Sequence, residues 1–189
     1  MSFLLVGTLS AQLQLGEISP DWTAPICMNG EGDWNLYEQA NGNWNGGDYK
    51  VTWLNLYTSW WPSCQTEAPQ TETIWQEYLS EGEDRLNIIA AGFQWTSYSC
   101  EGWAEAFGIT YPIVDVDDST AAWDLYGDGY IPHNVVLDHN LEVLYTSSGY
   151  YEDDILEAID SALSYVPRDM DQDGIEDDID NCVEAYNPD

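Results

Sequence analysis

The stretch from Val51 to Phe93 limits the possible folds more tightly than any other part of this chain. It opens with Val51–Tyr57 (VTWLNLY), a run dense in β-branched and aromatic residues and therefore strongly strand-prone. Pro62 then starts a helical segment, because proline is favoured in a first helical turn. Ala68, Thr71, Trp75, Tyr78 and Leu79 follow on one face at helical spacing. A second apolar run, Leu86–Phe93 (LNIIAAGF), reads as a buried strand. The pattern continues downstream. Cys100–Phe107 reads as a short helix with Trp103 and Phe107 one turn apart, Pro112–Val116 as a brief strand, and Thr120–Tyr126 as another helix. Asn134–Asp138 and Leu141–Thr146 are two runs joined by the tight-turn pair His139-Asn140. Ile155, Leu156, Ile159 and Leu163 form the apolar stripe of a closing helix, whose acidic first turn, Glu152-Asp153-Asp154, suits the positive end of the helix dipole. Strand–helix–strand alternation followed by a hairpin and a helix predicts an α/β domain with a central mixed sheet flanked by helices. Residues 13–49 are rich in Gly, Asn and Trp, with turn signals at Asn29-Gly30, Asn41-Gly42 and Gly46-Gly47, and predict short strands around Trp34–Tyr37.

The 189 residues suit one such domain and a small appendage. With 44% hydrophobic and 14% aromatic residues, the chain has the material for a packed core despite its charge. That charge is extreme, since 35 acidic residues face only Lys50, Arg85 and Arg168, for a net of −32. Phosphate binding needs clustered Lys and Arg, so nucleic acid is excluded as a partner, and anionic membrane surfaces fall with it. Such self-repulsion points to a saline setting. Met1–Gln12 (MSFLLVGTLSAQ) resembles the tail of a secretory signal with a cleavage point after Ala11, although it lacks a basic n-region and also reads as a short buried strand. No stretch is long and apolar enough to span a bilayer. Cys27, Cys64, Cys100 and Cys182 are an even set, compatible with an oxidising compartment, and their spacing does not rank the three possible pairings. The expected organisation is a signal remnant over 1–11, a globular domain over 12–165 and a tail over 166–189, in a protein that is secreted, periplasmic or on the cell surface.

The segment Asn55–Pro69 (NLYTSWWPSCQTEAP) resembles the active-site region of the TlpA-like, or redoxin, branch of the thioredoxin superfamily. There a strand ends, a Trp-Cys-x-x-Cys sequence follows, and a Glu and a Pro come soon after. Trp60 matches the tryptophan, Pro62 and Ser63 the middle pair, Cys64 the second cysteine, and Glu67 and Pro69 the Glu and Pro. Gly16-Glu17 through Pro20-Asp21-Trp22 is similar to the branch's opening G-x-x-x-P-D-F motif. Phe107-Gly108-Ile109-Thr110-Tyr111-Pro112 is similar to its y-G-v-x-f-P segment, and Ile131-Pro132 stands where the superfamily places a cis-proline. The resemblance implies a thioredoxin-like fold, a site built from Cys64, Glu67, Cys100 and Pro132, thiol- or disulfide-bearing proteins as partners, and no organic cofactor. One departure bears on activity: Trp61 replaces the nucleophilic first cysteine. Dithiol exchange needs one thiolate to attack and a neighbour to resolve the mixed disulfide, so that cycle does not run here. Three readings of Cys64 stay open: an inert relic under Trp60 and Trp61, a structural or redox-active bond to Cys100, or monothiol chemistry. Glu67 is either the family's proton-transfer group or an ordinary first-turn helix acid. His133 is either a titrating group or structural. The alternative to an oxidoreductase is a non-enzymatic binding or cell-surface module.

The tail carries its own chemistry. Asp169, Asp171, Asp173, Gly174, Asp177 and Asp180 fall at positions 1, 3, 5, 6, 9 and 12 of an EF-hand-like loop, and Ile175 would add a backbone carbonyl. Carboxylates at that spacing converge on one hard cation, so calcium is the expected ligand. With Asn181-Cys182 and Asn187-Pro188-Asp189 the segment resembles a truncated thrombospondin type 3 repeat, which implies cell-surface or matrix association.

Overall fold

The computed structural model describes residues 12–117, 121–168 and 181–182. The signal-like start and the predicted calcium loop Asp169–Asp180 lie outside the described residues. In chain order the strands are β1 (Thr23–Met28), β2 (Asp33–Asn35), β3 (Val51–Thr58), β4 (Leu86–Phe93), β5 (Ile113–Asp115), β6 (His133–Leu137) and β7 (Val143–Ser148). The helices are α1 (Leu36–Ala40), α2 (Gly42–Asn45), α3 (Pro62–Ser80), α4 (Cys100–Phe107), α5 (Ala121–Tyr126) and α6 (Glu152–Leu163).

The strands form one sheet in the order β2-β1-β5-β4-β3-β6-β7. The central strands β3, β4 and β5 run parallel, and β6, β7, β1 and β2 are added antiparallel on the two sides. The mixed sheet predicted from the sequence is therefore present. All eight residues of β3 are buried, as a strand covered by helices on both faces requires. Its alternation sorts the core into two layers. Trp53 and Tyr57, with Ile88, Ala90 and Ile113, face α3, α4 and α6. Leu54 and Leu56, with Ile89, Ala91, Val114 and Val135, face α1, α5 and the packed pair Trp22 and Trp34.

Local differences from the sequence reading have simple causes. Short strands were expected around Trp34–Tyr37, but only Asp33–Asn35 is extended, because the Asn35 side chain accepts from the Glu38 amide and caps α1 at that point. β1 went unread, since its TAPICM sequence carries a proline and little alternation, and it pairs at the sheet's side. On α3 the inward stripe runs through Cys64, Ala68, Thr71 and Ile74, and Leu79 is 45% exposed. Ile74 completes the 3.6-residue period that Leu79 oversteps. A hairpin forms at His139-Asn140, but β7 begins at Val143 rather than Leu141, and Leu137 pairs with Val143.

Candidate functional site

The site lies where β3 runs out and α3 begins. Three residues, Ser59, Trp60 and Trp61, separate Thr58 from the helix of Cys64, which starts at Pro62. Trp61 is the N-cap of α3 and offers no side-chain acceptor to the helix amides. Both tryptophans are surface groups, 40% and 39% exposed, with ring centroids 5.5 Å apart at 80°. The Trp60 indole N–H donates to Gln94 Oε1 at 3.0 Å. Gln94 sits just past β4 with φ of 54°, a left-handed conformation uncommon for a side-chain-bearing residue. Its amide donates to Asp117 Oδ1 at 2.7 Å and its carbonyl accepts from Ser59 Oγ at 3.3 Å. These contacts hold the conformation and fix Trp60 in place.

Cys64 lies beneath this surface, buried and unbonded. Burial raises its thiol to a pKa of about 12, against a lowering contribution from the Thr58 backbone, and nearby Glu67 adds to the rise. At pH 7 the thiolate is then roughly one part in 10⁵, which leaves almost no nucleophile. The N-terminal position in α3 does not overcome desolvation.

Glu67 is the centre of a buried polar cluster rather than a first-turn acid. It lies beyond the first turn of α3 and is 2% exposed. Its Oε1 accepts from Asn134 Nδ2 at 2.9 Å and, very closely, from Asn55 Nδ2. Asn55 and Asn134 are cross-strand partners in the β3–β6 register. Asn134 Oδ1 in turn accepts from Trp53 Nε1 at 2.8 Å and Asn55 Nδ2 at 3.2 Å, while Asn134 Nδ2 also donates to the Gly149 carbonyl at 3.1 Å. Glu67 Oε2 has no hydrogen-bond partner among the described residues. Burial pushes the carboxyl up to about 8, with the Asn134 bond pulling the other way. At neutral pH the group is therefore largely a neutral acid. Asn134 and Trp53 were not singled out from the sequence. The only available signal was an asparagine in each of two apolar strands, since two facing polar residues in a buried sheet need a common partner.

Cys100 does not join Cys64. It is bonded to Cys27, with the Cα atoms 6.2 Å apart, which ties β1 to the start of α4. The Cys64–Cys100 reading is thereby corrected: Cys27 approaches Cys100 through the β1–β5 pairing, which sequence spacing does not reveal. The Ile131-Pro132 peptide is cis, as expected. His133 is buried at the start of β6, with its ring nitrogens 3.0 Å from Thr146 Oγ1 and 3.4 Å from Ser148 Oγ, and 3.3 Å from Asp128. Burial lowers its pKa, with Asp128 opposing, so it is a neutral packing residue at pH 7. Among the described residues no cluster of three or more His, Cys, Asp or Glu is arranged to hold a metal.

The fold is similar to that of solved structures. The chain superposes on the DsbE-type thiol:disulfide interchange protein of Chlorobium tepidum with a TM-score of 0.65 at 18% identity, over 80% of this chain and 99% of that one. The fold is thioredoxin-like. StoA from Bacillus subtilis gives a TM-score of 0.57 at 21% identity, covering 73% of this chain and 94% of its own. A secreted disulfide oxidoreductase of Mycobacterium tuberculosis gives 0.56 at 12% identity, covering 74% and 95%. In sequence the thioredoxin-like chain is 31% identical over 94 residues to the thiol-disulfide oxidoreductase ResA of Geobacillus kaustophilus, and 24% identical over 108 residues to ResA of Halalkalibacterium halodurans. The match to the first takes in 50% of this chain and 52% of the relative, so the chain spans about half the length of the curated relatives it matches. No protein-family model matches the thioredoxin-like chain.

Proposed function

We propose that this is an extracytoplasmic thioredoxin-like protein, related to thiol-disulfide oxidoreductases, that binds protein partners at the Trp60–Trp61 surface without running dithiol exchange. One observation carries the reading: the site's single thiol, Cys64, is buried and held protonated with a pKa of about 12, and Trp61 stands where an attacking thiol is needed. The only disulfide among the described residues, Cys27–Cys100, joins two other elements. Exchange needs a thiolate within reach of the partner's sulfur, and Cys64 supplies neither ionisation nor exposure. The resemblance to oxidoreductases supports thiol-bearing proteins as partners, and the signal-like start supports a location outside the cytoplasm. We further infer that the tail binds calcium through Asp169, Asp171, Asp173, Asp177, Asp180 and the Ile175 carbonyl. The support is the donor set, all hard oxygens at EF-hand-like spacing.

The test is insulin reduction with dithiothreitol, comparing the protein with Cys64→Ser. Equal, background-level rates are expected. A rate above background that disappears in Cys64→Ser would restore the enzyme reading.

A further inference from the structure

The geometry points to the Trp60–Trp61 face as a recognition site for a cationic side chain, arginine or lysine, on a partner polypeptide. This rests on the reading of the chain as a binding module and supplies its partner's chemistry.

Lys and Arg lie on one side of the sheet only. Parallel strands β3, β4 and β5 place their carboxyl ends on one edge of the sheet, where ligands of open α/β sheets bind. Lys50 immediately precedes β3 and Arg85 immediately precedes β4, so both sit on the opposite edge. Arg168 follows α6 and acts with Arg85 on Glu83, on that same opposite side. These three are all the Lys and Arg the sequence contains. The carboxyl edge therefore has no Lys or Arg. It has Asp115 at the end of β5, Asp117 two residues on, and Asp128, which reaches His133 from the loop before the cis-proline. Asp117 and Asp128 are exposed, and hydrogen bonds from Ser148 and the Tyr130 amide hold Asp128 in its ionised form.

Trp60 and Trp61 are exposed in the middle of this edge, edge-to-face with each other. The β3–β6 register pairs Leu56 with His133, which brings the Ile131-Pro132 peptide, and Tyr130 before it, alongside the end of β3. Tyr130 is 72% exposed. Indole faces attract ammonium and guanidinium groups, and surrounding carboxylates strengthen the attraction. The left-handed Gln94 belongs to this arrangement: its side chain fixes the Trp60 indole, and its amide binds the Asp117 carboxylate. One residue thus sets both an aromatic face and an acid of the site. An indole pinned this way loses little freedom when it binds.

A general attraction of cations to so acidic a molecule has to be separated from a site. The probe is a capped Gly-Arg-Gly-Arg-Gly peptide, which has no tryptophan, titrated while following intrinsic fluorescence in about 0.5 M NaCl, where diffuse attraction is screened. Its citrulline counterpart keeps the shape and hydrogen bonds without the charge. The arginine peptide should bind about tenfold more tightly than the citrulline one, and Trp61→Ala or Trp60→Ala should remove about that factor. Trp61→Leu, which keeps apolar bulk without a ring, should lose as much. Trp44→Ala, which removes an indole 68% exposed on α2, should change nothing. Equal affinity for the two peptides, or equal loss in the Trp44 and Trp61 variants, overturns the proposal. The two readings fail separately. Insulin turnover with intact arginine binding sinks only the non-catalytic reading, and absent turnover with no arginine preference sinks only this one.

Discussion

A carboxylic acid at Glu67 is surrounded by two asparagines that donate to one of its oxygens, and by enough protein to keep water from the other. Its pKa of about 8, against an ordinary glutamate value of 4.5, makes folding sensitive to pH. The folded state binds this proton more tightly than the unfolded one, so the stabilisation is complete below about pH 4.5. It is lost as pH rises through about 8. Glu67→Gln has no charge to bury and should escape that loss. Urea unfolding at pH 5 and pH 9 should show the variant gaining on the parent by on the order of 4 kcal/mol at the higher pH. A pH-independent difference would show that Glu67 ionises freely in the fold. The sequence disclosed this residue's place, through the spacing Cys64–Glu67–Pro69, but not its surroundings. Those depend on Asn134, 67 positions away in sequence. The same holds for Gln94, whose role rests on a backbone conformation that neighbouring residue types do not announce.

At the scale of elements, what was legible was whatever local chemistry dictates. Pro62 marked the start of α3, and the β-branched and aromatic run Val51–Tyr57 marked β3. The N-terminal hairpin was not legible, because β1 and β2 are short and earn their pairing from β5 and from the Trp22–Trp34 contact at 4.8 Å. The disulfide fastens this hairpin to α4. It closes a loop of 73 residues, so in the chain-entropy picture it removes about 4 kcal/mol of unfolded-state freedom. Replacing Cys27 and Cys100 together by serine should lower stability by up to that amount in chemical denaturation, and reductant should then have no further effect. Unchanged midpoints would mean that sheet pairing alone holds β1. Cys64→Ser in parallel should leave the response to reductant intact, since Cys64 is not in that bond.

Over the whole molecule, 35 acidic residues face three basic ones. Two of those are already committed: Lys50 to Asp48 at 3.4 Å and Arg85 to Glu83 at 2.5 Å. Repulsion among the remainder favours expansion. The melting temperature should therefore rise in molar salt, and millimolar calcium should raise it further if the tail's aspartates gather the ion. Scanning calorimetry of the full chain and of Asp171→Asn/Asp173→Asn separates the two, because only the calcium increment should vanish in the variant. A melting temperature indifferent to salt would mean that the carboxylates are too dispersed to matter. Lys50 and Arg85 precede β3 and β4, so the opposite edge, which carries Trp60 and Trp61, has neither Lys nor Arg among the described residues. A positively charged partner meets no repelling cation there, and its association should be fast at low ionic strength and slower as salt is added.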